Sequence, residues 1–320
     1  TVNHNPGTIP FIEDLDALPF PAYDLIRLSD YWKIQAMTPV PTRRYASLFS
    51  SRGCPFQCIY CHKIFGNTFR FHSAERIVAE MEYIKKTYRT SNFEFLDDIF
   101  NLNKKRMVDF ASRTVTKDLR VNLSFPNGVR TDFFEKEDLD MLIEAGLCFA
   151  SFPLEAGSPR IQKLIRKNLN IGKYKENVAY AVSRGVFSNG FAMLGFPTET
   201  AEEMQMTIDI ICSSKLHTAS FFTVTPFPNT ELYRIIERMS PEKLSRVKYD
   251  DVEYSLAPMN FSAIPDRGFF KLQRKANVKM FSNPSRIFRI MKDIPKPYLL
   301  PLYFPEFLKR ITKGFFNNSY

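Results

Sequence analysis

Three of the chain's five cysteines fall within eight positions, in the stretch Cys54-Pro55-Phe56-Gln57-Cys58-Ile59-Tyr60-Cys61. Three residues separate the first pair and two the second. Such spacing brings three thiolates onto one small object, as ligation of an iron–sulfur cluster requires. In a four-iron cluster, three protein thiolates leave one iron open to a ligand that is not protein, whereas an electron carrier closes all four corners. A zinc site would need a fourth ligand, and His62 follows Cys61 too closely to complete a tetrahedron. Cys148 and Cys212 lie in apolar stretches, read as core residues and are too few for a second cluster. His4, His62, His72 and His217 have no metal-ligand spacing.

The Cys-x3-Cys-x2-Cys pattern has an aromatic residue before its third cysteine and follows a strand-like run, Tyr45 to Ser50. It resembles the signature of the radical S-adenosylmethionine (radical SAM) enzymes. The resemblance implies a 4Fe-4S cluster on Cys54, Cys58 and Cys61, with its open iron chelating S-adenosyl-L-methionine. One-electron cleavage then yields methionine and a 5′-deoxyadenosyl radical that takes a hydrogen from the substrate. Later motifs extend the likeness from Phe11 to Tyr233.

Each of those motifs carries an expected contact. Tyr60 either packs the cysteine loop on the barrel or, as in the family, sits beside the adenine. In Phe95-Leu96-Asp97-Asp98-Ile99-Phe100, backbone and carboxylate groups would hold the methionyl ammonium, with Asp97 the preferred acid and Asp98 the second. Glu155, at the end of a strand, would accept from both ribose hydroxyls. Arg130 is open to two roles, binding the cofactor carboxylate or pairing with Glu155 or Asp132. Lys167 is a third candidate in this group, also for the carboxylate. Gly195, in Gly195-Phe196-Pro197-Thr198-Glu199-Thr200, supplies a bend at a junction that borders the adenosine pocket in the family, and Thr200 caps the following helix. Asn229 stands in the closing loop where the related pattern has glycine, and asparagine tolerates left-handed geometry. Gly53 is expected to let backbone approach the cluster.

The elements needed to hold these residues alternate as strand and helix from Tyr45 onward. Expected strands are Phe93–Leu96, Val121–Phe125, Phe149–Leu154, Phe187–Leu194 and Thr218–Val224. Expected helices include 73–86, 104–117, 136–145, 174–183 and 202–213, with Ser73 as a cap and Gly146 as a left-handed terminus. Six such units fit an incomplete (β/α)6 barrel, a fold that gathers chemistry at strand C-terminal ends. Residues 1–43 carry six prolines and read as an arm, 44–235 as the barrel, and 236–320 as a mostly helical extension. In the arm, Ile12 to Asp24 resembles the connector that joins a cobalamin-binding domain to the barrel in one radical SAM subclass. It implies cobalamin held upstream of this chain.

Charge separates the extension from the rest. From Arg267 to Tyr320, twelve Lys and Arg meet two acids, equal to the whole chain's net +10. Residues 284–313 mix these cations with Phe, Leu and Tyr, a pattern suited to peripheral membrane contact or to packing on the barrel with a solvated basic face. A nucleic-acid module is not recognisable there. The clustered cysteines suit a reducing cytoplasmic compartment. The expected function is radical modification of an unactivated carbon on an apolar, lipid or tetrapyrrole-like substrate. The resemblance is to enzymes like magnesium-protoporphyrin monomethyl ester cyclase and the hopanoid methylases, and the outcome is methylation, cyclisation or coupling. A flavodoxin- or ferredoxin-type donor would supply the electron. The alternatives are a cobalamin-independent enzyme such as a methylthiotransferase, and a non-catalytic iron–sulfur or zinc docking module.

Overall fold

The computed structural model describes residues 11–247, 249, 259–299 and 301. His4 and the aromatic run after Pro301 lie outside them. Six parallel strands form the sheet, β1 (Ala46–Leu48), β4 (Asn92–Phe95), β5 (Asn122–Phe125), β6 (Leu147–Glu155), β7 (Phe187–Leu194) and β8 (Thr218–Thr223). They are ordered as in the chain, and β1 and β8 are not paired with each other. Parallel pairing in sequence order demands a crossover after each strand. These are α2 (Ala74–Tyr88), α3 (Lys104–Thr116), α4 (Lys136–Glu144), the pair α5 (Pro159–Leu164) and α6 (Ile171–Ser183), and α7 (Ala201–Ser213). The result is an incomplete (β/α)6 barrel followed by a helical C-terminal region: α8 (Glu231–Met239), α9 (Pro241–Leu244), α10 (Asp266–Phe281) and α11 (Pro284–Asp293).

The helix ends follow their local chemistry. Ser73 Oγ accepts from Arg76 N (3.1 Å) at the start of α2. Thr200 and Glu203 form a reciprocal capping box on α7. Gly146 ends α4 with φ +110, where a Cβ would lie 2.1 Å from the Val121 carbonyl oxygen. Residues pointing outward from the strands, such as Phe93, Phe95, Leu123, Phe152 and Leu194, join the helices in one apolar core.

The first strand departs from expectation. Instead of running on from Tyr45 to Ser50 it stops at Leu48, and β2 (Ser51–Arg52) turns away to pair antiparallel with β3 (Arg70–Phe71). The cysteine loop is thus the tip of a small hairpin. A buried polar network forces the break. Asp97, just past β4, accepts from Ser50 N (2.7 Å), Ser50 Oγ (2.6 Å) and Ser51 Oγ (2.6 Å). Arg106 of α3 donates to the Ser50 carbonyl (2.8 Å) and Ser50 Oγ (3.1 Å), and lies 3.8 Å from Asp97. Both charged side chains are almost wholly buried, and the Arg106 guanidinium lies close to the rings of Phe69, Phe71 and Phe100.

The proline-rich arm wraps α2 and the hairpin. Leu15 is fully buried, Tyr23 Oη donates to Glu80 (2.6 Å), and the Arg76 guanidinium sits 3.8 Å from the Phe20 ring centroid. Arg70 of β3 reaches back to the Ile12 carbonyl (3.0 Å). At the other end of the barrel order, α10 lies on β8, with Gln273 Nε2 donating to Thr223 Oγ1 (3.0 Å).

Removing one member of the Asp97–Arg106 pair leaves the other charge buried without compensation. Asp97→Ala is expected to cost about 3–5 kcal/mol of stability. The double variant Asp97→Ala/Arg106→Met should lose less than the sum of the two single changes. Urea denaturation of all three variants against the parent measures both values.

Candidate active site

The cysteine loop is fixed at its base and at its middle. At its base, Gly53 (φ +83) donates its N–H to Asp98 Oδ2 (3.0 Å), and Cys54 N donates to the Gly66 carbonyl (3.3 Å). A Cβ on Gly53 would lie 2.3 Å from the Thr68 carbonyl oxygen. The close neighbour that requires glycine here is therefore the segment leading into β3. In the middle, Ile59 N donates to the Ile165 carbonyl (3.2 Å) and the Ile59 carbonyl accepts from Leu232 N (2.9 Å). The Ile59 side chain is buried in a second apolar cluster with Ile161, Ile165, Phe196, Leu232 and Ile236. The residue between two ligands is thus a plug stitched to the ends of α5 and α8.

The thiols face a shared cation. Cys58 and Cys61 are hydrogen-bonded, which lowers the Cys58 thiol and raises that of Cys61. Burial raises Cys54. The Lys167 ammonium acts on all three sulfurs, favouring their thiolates, and donates to Glu155 Oε1 (3.0 Å) with both side chains largely buried. Glu155 reaches this position through a register shift at the end of β6 and a left-handed backbone (φ +63). Bulges of this kind re-aim side chains beside active sites. Arg166 and Asn168, on either side of Lys167, are also left-handed (φ +56 and +48), so the ion pair is held between strained segments.

The other expected residues divide. Asp97's carboxylate turns back into the Ser50–Ser51 network, while Asp98 is exposed and bonded to Gly53 N. Of the partners open to Arg130, Asp132 holds it: Nε to Oδ1 is 2.9 Å, and the guanidinium centre lies 4.5 Å from the Phe56 ring and 5.1 Å from Phe133. Because Phe56 lies between Cys54 and Cys58, Arg130 clamps the cysteine loop. Tyr60 packs on Phe196 (6.0 Å between centroids) and its hydroxyl bonds to Cys58. Gly195 makes the expected bend (φ +100) and Asn229 is left-handed (φ +69).

Two contributors escaped the sequence reading. Asn127 Nδ2 donates to the Asp97 carbonyl (3.0 Å), tying the end of β4 to the segment after β5. Glu199, fully buried, accepts from Gly195 N (2.8 Å) and Phe196 N (3.0 Å), while its Oε1 has no partner. It fixes the turn that presents Phe196 to Tyr60.

Below this rim the barrel interior changes character. Strand alternation turns Ser151, Asn189 and Thr218 inward, with Thr218 Oγ1 2.8 Å from Asn189 Oδ1. Nearer the cysteine loop the inward residues are Pro153, Phe191, Met193 and Phe222, all half-buried, with the Phe191 and Phe222 rings edge to face at 5.4 Å. This is an apolar chamber beneath a polar rim.

The model of the Radical SAM superfamily matches residues 48–211, from the end of β1 into α7. The chain belongs to the radical SAM superfamily. An uncharacterised methyltransferase of Pyrococcus horikoshii is 31% identical over 289 residues, 89% of this chain and 60% of that protein. Cytidylyl-2-hydroxyethylphosphonate methyltransferase of Streptomyces wedmorensis is 30% identical, over 74% of this chain and 47% of that protein. The structure of the radical SAM methyltransferase TsrM from Kitasatospora setae, with cobalamin and a [4Fe-4S] cluster bound, superposes with a TM-score of 0.57 at 19% identity. That match covers 71% of this chain and 43% of TsrM. The chain therefore spans only about half the length of these relatives.

The residues present fit a cluster of this family. Cys54, Cys58 and Cys61 share one loop tip and one cation, and no three His, Cys, Asp or Glu among the described residues close on a single ion. A cubane needs no such convergence, because each thiolate ligates a different iron.

Burial raises the Glu199 carboxyl from its ordinary 4.5 to about 8. Between those values the folded chain keeps a proton that the unfolded chain has released, so stability falls as pH rises through this window. Glu199→Gln, permanently neutral, should flatten that decline. Thermal melting of both proteins from pH 5 to pH 9 is the check, and parallel curves would contradict it.

Proposed function

We propose that this chain is the catalytic portion of a radical SAM enzyme that modifies an unactivated carbon of an apolar substrate, with cobalamin-dependent methylation as the reaction. The observation that carries the reading is the convergence of three features at the strand C-terminal ends. These are the cysteine loop, the Lys167–Glu155 pair, and beside that pair the inward, half-buried Phe191, Met193 and Phe222. When bound, the cluster and S-adenosylmethionine supply a one-electron cleavage that yields a carbon radical able to abstract hydrogen.

The chain's own groups bind and exclude. Cys54, Cys58 and Cys61 hold the cluster, and Lys167 offsets their charge while orienting Glu155. Glu155, accepting from ribose hydroxyls, would share its carboxylate between Lys167 and the cofactor. Asp98, rather than the internally saturated Asp97, is the side chain available to an ammonium, together with main-chain carbonyls at the end of β4. Tyr60 and the Gly195–Phe196 turn border the adenine side. The aromatic chamber keeps water from a reactive carbon and favours a flat or lipid-like substrate, in line with the tetrapyrrole- and hopanoid-modifying enzymes that the sequence resembles. Cobalamin would come from a domain outside this chain. That proposal is supported by the relatives' greater length and by the methyltransferase activity named for them.

Anaerobic reconstitution tests the reading. The parent should bind about four irons per chain, give an electron paramagnetic resonance signal that changes on adding S-adenosylmethionine, and release 5′-deoxyadenosine under a strong reductant. Each of Cys54→Ala, Cys58→Ala and Cys61→Ala should abolish the product. A cluster indifferent to S-adenosylmethionine would overturn the proposal.

A further inference from the structure

The hairpin that carries the cysteines is gripped on both faces. Register pairs Ser51 with Phe71 and Arg52 with Arg70, and side chains opposite each other across a ladder share a face. Ser51 belongs to the Asp97–Arg106 node, and the Phe71 ring lies beside Arg106. The other face turns Arg70 toward the arm. There its guanidinium centre lies 4.5 Å from the Phe11 ring centroid, and Nη1 donates to the Ile12 carbonyl (3.0 Å).

Arg70 is 4% exposed, yet no carboxylate among the described residues pairs with it, and its Nε has no partner. The residue opposite is a second arginine, and like charges facing each other across strands cost stability. A buried cation without a counter-charge costs more, and an apolar side chain of similar length would avoid both penalties. What an apolar residue cannot do is bridge. The other prong of the fork, Nη2, donates to the Phe65 carbonyl (2.7 Å) in the returning limb of the cysteine loop. One planar group thus ties residue 12 to residue 65.

From that limb the first ligand is one contact away. The Gly66 carbonyl accepts from Cys54 N (3.3 Å). The Phe11 ring covers Gly66 so closely that a Cβ there would lie 2.9 Å from Phe11 Cε2. The Phe65 and Gly66 carbonyl oxygens also crowd Gly53, at 3.1 and 3.2 Å from where its Cβ would stand. Arm, limb and ligand backbone lie in contact, one on the next. The middle of the loop is moored elsewhere, by the bonds of Ile59 to Ile165 and Leu232.

We propose that Arg70, together with Phe11 of the arm, is a positioning residue for Cys54. Acting through residues 65 and 66, it holds the first cluster ligand in place relative to the other two. The proposal rests on the radical SAM reading of the three cysteines and adds the arm to the support of the cluster.

Two readouts separate this role from general support of the fold. In the metal-free full chain, hydrogen exchange at residues 54 and 65–68 measures the brace without any cluster. Arg70→Met keeps the length of the side chain but cannot bridge. It should speed that exchange about tenfold, the worth of one charge-assisted hydrogen bond, while the melting temperature stays level or rises. Arg70→Lys reaches one carbonyl at a time and should fall between. Phe11→Ala should speed the same amides, and Phe20→Ala, whose ring stacks on Arg76 of α2, should not. Should Arg70→Met melt lower, Phe11→Ala decides, because that ring is 42% exposed and its loss leaves the core intact. After anaerobic reconstitution, Arg70→Met and Phe11→Ala should yield iron to a chelator about tenfold faster than the parent, with Phe20→Ala at the parental rate. Parental exchange in Arg70→Met and Phe11→Ala would overturn the proposal, and so would faster exchange with parental iron release. A parent that takes up no iron would sink the reading of the cysteines and this proposal with it. A parent whose cluster answers S-adenosylmethionine, beside variants that release iron no faster, would sink this proposal alone.

Discussion

A carboxylate buried just past β4 decides where the cysteine loop begins. Asp97 takes the backbone N–H and hydroxyl of Ser50 and the hydroxyl of Ser51, and this ends β1 and throws the chain into the hairpin that carries the cysteines. Arg106 fills the other side of the same node, so β1, β4 and α3 meet at one buried set of charges. A buried pair of this kind adds little net stability over an apolar equivalent. Its effect is positional: neither charge tolerates loss of the other, so the take-off point of the loop has one arrangement.

From that fixed origin the loop is held by unlike forces. Ile59 anchors it through apolar burial and main-chain bonds, Phe56 through the stacked Arg130, and Tyr60 through Phe196, whose own backbone rests on Glu199. Residues between the cysteines are thus used for attachment, while Cys54, Cys58 and Cys61 share the influence of the Lys167 charge. Rigidity of this order suits a site that must hold a large inorganic group without rearranging.

Much of this was legible in the sequence because it rests on local chemistry. The three cysteines declare their purpose by spacing. The barrel shows in the alternation of apolar strands and amphipathic helices. Ser73, Thr200, Gly146 and Asn229 occupy the caps and turns that their side chains favour. What failed were facts of direction. Alternation could not say which of Asp97 and Asp98 turns inward, since the chain leaves its strand at that point. Arg106 is buried although it follows two other cations in Lys104-Lys105-Arg106, and nothing in that run marks it out. The two-residue strands β2 and β3 carry no periodicity at all, and the neighbour that makes Gly53 necessary lies fifteen positions on at Thr68, in the turn before β3.

The bond from Leu232 to Ile59 sets an order in time as well as in space. A ribosome delivers the three cysteines long before it delivers α8, so a nascent chain displays its thiols on a loop with one of its moorings still unmade. Metal supplied at that moment would meet a floppy ligand set. The loop is fully moored only once α8 is in place, when the end of the barrel closes over the beginning.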